Sequence, residues 1–148
     1  MFSHILFPTD LSDMSREAFA SAVEMARKFG GKITLLNVHE EFMSESEMQY
    51  LRVSPDHYKD MMREKAVKSR ERMDELVTGA NAGDICDVIL REGSPRKEIL
   101  DTAADLNATC IVMASNGRSD LKQALIGSVA EHIVRYSEIP VLVVKFGK

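Results

Sequence analysis

The feature that most constrains the fold is a recurrence of short, nearly unbroken aliphatic runs, each ended by polar or turn-forming residues. Five segments have this character: HILFPTD from His4, KITLLNVH from Lys32, ICDVILRE from Ile85, TCIVMAS from Thr109 and PVLVVKF from Pro140. A strand with one face in water alternates apolar and polar side chains. Runs such as CIVM and VLVV do not, so they read as strands covered on both faces, as in a parallel sheet.

Helical patterns separate these runs. From Ser12 to Phe29, the residues Phe19, Ala22, Val23, Ala26 and Phe29 fall on one face. From Tyr58 to Val77, Tyr58, Met62, Ala66, Met73, Leu76 and Val77 do the same. A third helix is expected to start at Ser94-Pro95, with Ser94 as N-cap, Pro95 in the first turn, and Ile99, Leu100 and Ala103 inward. Lys97 stands where a capping box would place Glu or Gln. A fourth is expected from Ser128 to Ser137, with Val129, Ile133 and Val134 inward, and Pro140 forbids its continuation. Strands and helices that alternate over short connections define an α/β fold, a doubly wound parallel sheet. At 148 residues, with no internal repeat and no linker, residues 1–148 read as a single domain. The polar segment 40–56, EEFMSESEMQYLRVSPD, reads as a surface insertion rather than a lid or a partner loop.

Several function classes are disfavoured at this level. With 19 Lys+Arg against 23 Asp+Glu the formal charge is −4, and the charges are interspersed, so no basic stripe is available for nucleic acid. Cys86 and Cys110 lack CxxC spacing and read as small buried hydrophobes in a reducing compartment. No apolar run approaches membrane-spanning length and the start MFSHILFPTD is no signal peptide, so a soluble cytoplasmic protein is expected. There is no GxxxxGK[ST], no GxGxxG and no GxSxG. His4, His39, His57 and His132 show no ligand spacing, and Met43, Met48, Met61 and Met62 have no Cys or His to complete a metal site. No nucleophile–base pair stands out, so an efficient enzyme is not expected and no catalytic residue is assigned.

What remains is geometric. In an open parallel sheet, ligands bind beyond the carboxyl ends of the strands, where the strand order reverses. Those ends are Pro8-Thr9-Asp10, Val38-His39 and Ala114-Ser115-Asn116-Gly117. The connection from Ser115 to Gly127 exceeds the usual two to six residues or so of a strand-to-helix link. Asn116-Gly117 favours positive φ, which turns backbone N–H groups into an anion-binding nest. Gly127-Ser128 opens a helix whose N-terminal N–H groups are unpaired. Two such edges can hold a polyphosphate without a Walker lysine; equally, Asn-Gly is a common turn and Gly-Ser a common helix start.

The quoted residues resemble the universal stress protein family across essentially the whole chain. The resemblance rests on ILFPTDLSDMSREAF, ITLLNVHE, REGSPRKEILDTAADLNATCIVMAS and NGRSDLKQALIGSVAEHIVRYSEIPVLVV. It implies an open five-stranded sheet of order 3-2-1-4-5, Rossmann-like and similar to the adenine nucleotide alpha hydrolases, with helices on both faces. The nucleotide-binding branch carries Gly-x2-Gly-x9-Gly-Ser/Thr. Gly117, nine residues and Gly127-Ser128 match its second part, whereas the first glycine is Ala114. The added methyl crowds a close approach and disfavours positive φ, which implies weakened rather than abolished binding.

By the same resemblance, Pro8, Thr9 and Asp10 contact adenine and ribose, and the backbone of Val38 reads the adenine edge. Met113 and Ala114 border the ribose, while Asn116, Gly117, Gly127, Ser128 and Val129 face the phosphates. Read alone, Asp10 could simply cap the first helix and Val38 and Met113 could be core; Arg118 and Lys122 either add positive charge near the phosphates or, the favoured reading, are solvated loop charges. The implied ligand is ATP, or AMP or ADP, with Mg2+ carried by the phosphates. The implied assembly is a homodimer through the edge strand 140–146, where PVLVV holds no charge before Lys145. The leading expectation is a dimeric, nucleotide-binding stress-response regulator or sensor. The alternatives are a dimeric interaction protein without nucleotide, serving an unidentified protein partner, and a slow ATPase.

Overall fold

The computed structural model describes residues 1–115 and 126–145. In chain order the elements are β1 (His4–Pro8), α1 (Asp13–Phe29), β2 (Lys32–His39), α2 (Glu45–Tyr50), α3 (Pro55–Gly79), β3 (Cys86–Glu92), α4 (Pro95–Asp105), β4 (Cys110–Ala114), α5 (Ser128–Tyr136) and β5 (Val141–Val144). The five strands form one sheet of order β3-β2-β1-β4-β5, and every pairing is parallel. The fold is the expected one.

Strand side chains alternate between two cores. Ile5, Phe7, Ile33, Leu35, Cys110 and Val112 pack on the side of α1 and α3, against Ala18, Phe19, Ala22, Met73 and Val77. Leu6, Leu36, Ile111 and Met113 pack on the other side, against Ile99 and Ala103 of α4 and Ala130 and Ile133 of α5. Phe7 meets Phe19 edge-on, with ring centroids 5.3 Å apart.

Several local expectations are corrected. Phe29 is 62% exposed, because α1 has by then run past the sheet, and its ring lies on Phe2 at 5.0 Å. Val134 of α5 is also exposed, and Ala130 takes the inward place one turn earlier. Tyr58, Ala66 and Leu76 are only half-buried on α3, where Met62, Met73 and Val77 are the buried residues. The segment 40–56 is not simply a loop. It contains α2, started by a capping box in which Ser44 accepts from the Glu47 amide and Glu47 reaches back to the Ser44 amide.

The chain reverses after α1 through Gly30, at φ 66°, whose N–H bonds back to Ala26 and Arg27. Gly31 then lies against the backbone that leads into β1: a Cβ there would stand 2.0 Å from the Phe2 carbonyl oxygen. Backbone cannot yield as a side-chain tip can. Gly31→Ala should therefore cost about 3 kcal/mol and lower Tm by roughly 6–12 °C. Gly83→Ala, where a Cβ meets nothing within 4 Å, should leave thermal unfolding unchanged. Equal melting of both variants would contradict this packing.

Candidate functional site

A cavity of about 580 Å3 opens at the carboxyl ends of β1, β2 and β4. Pro8, Thr9, Asp10, Val38, Met113, Ala114, Gly127, Ser128 and Val129 all line it, so the sequence positions expected to act together are together in space. Asn116, Gly117, Arg118 and Lys122 lie outside the described residues.

The wall that follows β1 is tightly specified. The Thr9 amide donates to the Leu36 carbonyl at 2.8 Å, extending the β1–β2 ladder by one residue. The Thr9 hydroxyl accepts from the Leu11 amide at 3.0 Å and shares a 2.6 Å bond with the Ser15 hydroxyl. The Thr9 carbonyl accepts from Asn37 Nδ2 at 2.8 Å. Asp10 Oδ1 accepts from the Ser12 amide at 2.9 Å, an Asx turn. The N-cap of α1 is Ser12, whose hydroxyl accepts from the Ser15 amide. Asp10 thus shapes the approach to the helix without capping it. Leu11 adopts φ 65°, and its carbonyl accepts from Arg72 at 2.8 Å.

The opposite wall is the start of α5. Gly127 is its N-cap and has no side chain with which to cap, and the first helical bond runs from the Glu131 amide to the Gly127 carbonyl. The amides of Ser128, Val129 and Ala130 consequently have no partner within the helix, and all three residues line the cavity. The Gly127 amide itself donates to the Ser115 carbonyl at 2.6 Å, which joins the start of α5 to the end of β4. Ala114 is the last residue of β4 and is not among the residues with positive φ. The conformational penalty expected for alanine at this position is therefore absent; only its methyl group remains to be accommodated.

Among the described residues, the lining side chains carry three carboxylates, Asp10, Glu40 and Glu41, and one ammonium, Lys65, whose Nζ stands 5.0 Å from the Phe42 ring centroid. The described lining thus offers backbone amides, and no cluster of cations, as groups suited to an anion. Among the described residues no group of three or more His, Cys, Asp or Glu could hold a metal ion. The Cys86 thiol, pushed up to about 12 by burial, is poorly nucleophilic.

Asn37, Phe42, Lys65, Ser69 and Arg72 were not foreseen. Asn37 alone had a visible signal, as a polar residue inside an aliphatic run that must find a partner when buried. Phe42 follows β2 by three residues, whereas Lys65, Ser69 and Arg72 reach the cleft or its rim from α3.

His39 closes β2, lines the cavity and is buried, and its Nε2 lacks a hydrogen-bond partner among the described residues. Burial, then the nearby Lys65 charge, holds its imidazole below the ordinary value, against a smaller opposing effect of Glu92. Burial and Lys32 lower His4 in the same way. The unfolded chain therefore takes up protons first as pH falls. The stability contributed by the two neutral rings is complete above about pH 6.5 and is lost as pH drops through their lower folded values. Denaturant midpoints should fall between pH 7.5 and 5, and fall less in His39→Leu; equal slopes for both proteins would contradict this.

Comparison with known proteins places these features in context. The model of the Universal stress protein family matches residues 1–145. Universal stress protein YxiE of Bacillus subtilis is 31% identical over 148 residues, covering 98% of this chain and 100% of the relative. Universal stress protein MJ0577 of Methanocaldococcus jannaschii is 28% identical, covering 98% and 96%. Its solved structure superposes with a TM-score of 0.78 over 100% of this chain and 99% of that one. A universal stress protein from Archaeoglobus fulgidus, solved in complex with dAMP, shares the fold at a TM-score of 0.64 and 21% identity, covering 95% and 96%.

Proposed function

The chain belongs to the universal stress protein family, and from that premise we propose that its cleft holds an adenine nucleotide, ATP or else AMP or ADP, in a dimeric cytoplasmic stress-response regulator or sensor. The observation that carries this reading is the uncapped start of α5 facing a cavity whose other wall is the Thr9–Leu11 turn.

In this reading the amides of Ser128 and Val129, with Gly127, receive the phosphates, and the positive end of the helix dipole adds to them. Asn116 and Gly117 are assigned to the same group. Asp10 accepts a hydrogen bond from the ribose beside Met113 and Ala114. Pro8, Thr9 and the backbone of Val38 border the base. The residues fit Mg2+ only as a companion of the phosphates, which would offset their charge, since the described side chains offer no cage. A universal stress protein of this fold has been solved with dAMP, so the scaffold is compatible with such a ligand.

Dimerisation is assigned to β5, an edge strand with Leu142 40% exposed. Sedimentation should report the mass of two chains; a single-chain mass would remove the dimer from this account.

The methyl of Ala114 at the cavity wall favours one competing reading, an interaction protein that takes no nucleotide. Calorimetry of nucleotide-stripped protein with ATP and Mg2+ separates the two. Binding is expected for the wild type, with Ala114→Gly roughly fivefold tighter, the value of about one relieved methyl contact. Heat from the variant alone would favour the interaction protein, and heat from neither would sink the nucleotide assignment.

A further inference from the structure

We propose that Arg72 is a positioning residue for the cleft: reaching across from α3, its guanidinium fixes the turn that presents Asp10 to the ribose of a bound nucleotide. The inference rests on the nucleotide reading above and adds the device that shapes its ribose wall.

The two carbonyls flanking Asp10 are each held by a side chain from another element. Asn37 of β2 donates to the Thr9 carbonyl at 2.8 Å, and Arg72 of α3 donates to the Leu11 carbonyl at 2.8 Å. Between them Leu11 sits at φ 65°, a left-handed conformation that a leucine avoids unless its surroundings enforce it. Its amide is held within the turn by the Thr9 hydroxyl, but its carbonyl depends on Arg72, 61 residues away in the chain. The Leu11 amide is thus fixed locally, and its carbonyl from a distance.

Arg72 shares a face of α3 with Ser69 and Lys65, at spacings of three and four residues, and those two line the cavity. This face of the helix therefore looks onto the cleft and its rim. The planar guanidinium fork donates in a fixed direction. Its bond to Leu11 lies at the surface. Water can replace such a bond energetically but cannot reproduce its direction. Removing Arg72 should accordingly alter the shape of the turn far more than the stability of the fold.

The test uses Arg72→Met and Arg72→Lys in the full chain, with three readouts: thermal unfolding, amide exchange at Leu11, and affinity for ATP against 2′,3′-dideoxy-ATP. Arg72→Met should melt within about 2 °C of wild type. It should exchange the Leu11 amide about tenfold faster and lose most of the preference for ATP over its dideoxy analogue, roughly three- to tenfold. Arg72→Lys should recover part of both effects. Unchanged exchange or an unchanged preference in Arg72→Met overturns the proposal. So does a loss of preference that follows a matching loss of thermal stability, which would mark a merely structural arginine. A wild type that binds neither nucleotide overturns the functional reading, and the proposal with it. That failure is recognisable because exchange at Leu11 still reports on Arg72.

Discussion

A central strand with no wet face decides most of this molecule. Ile5, Leu6 and Phe7 of β1 are fully buried, so helices must cover both sides of the sheet. Parallel pairing in turn demands a crossover between strands, and β1 lies between β2 and β4. The chain leaves β1 for one neighbour through α1 and returns to the other through α4. Where those paths diverge, the carboxyl ends of β1 and β4 are left open, and the cleft follows from the same burial that stabilises the sheet.

The strands were legible because burial on both faces leaves little besides aliphatic residues in them: every expected run contains its observed strand. The helices were legible in type and less so in detail. Periodicity shows which side chains share a face, but not where the sheet beneath that face ends. Hence Phe29 and Val134 lie outside the core, although their spacing suits it. The helix Glu45–Tyr50 carries a signature in Ser44-x-x-Glu47, but the polar composition around it masks that signal.

Within the site, the strand ends and the head of α5 follow from topology and from the Gly127-Ser128 pair, and they meet around one cavity. Arg72 and Lys65 had no comparable signal, since a cation on a long polar helix looks the same whether it meets solvent or a carbonyl across the fold. Their roles depend on packing between distant elements. The acidic balance of the chain is no obstacle to an anionic ligand here. Three carboxylates stand on the lining among the described residues, but the donors at α5 are peptide dipoles, which hold their orientation at no cost in net charge. The lack of left-handed strain at Ala114 narrows the difference from the family's glycine to a single methyl group.

The central claim is that the Ser115–Gly127 junction and the Thr9–Leu11 turn enclose an adenine nucleotide. Native mass spectrometry of the protein as purified, and again after adding Mg2+ and ATP, tests this most directly. The account predicts a mass increment of an adenine nucleotide per chain that disappears in Gly127→Val while that variant remains folded. An unmodified mass in the presence of ATP, or an increment retained by Gly127→Val, would contradict it.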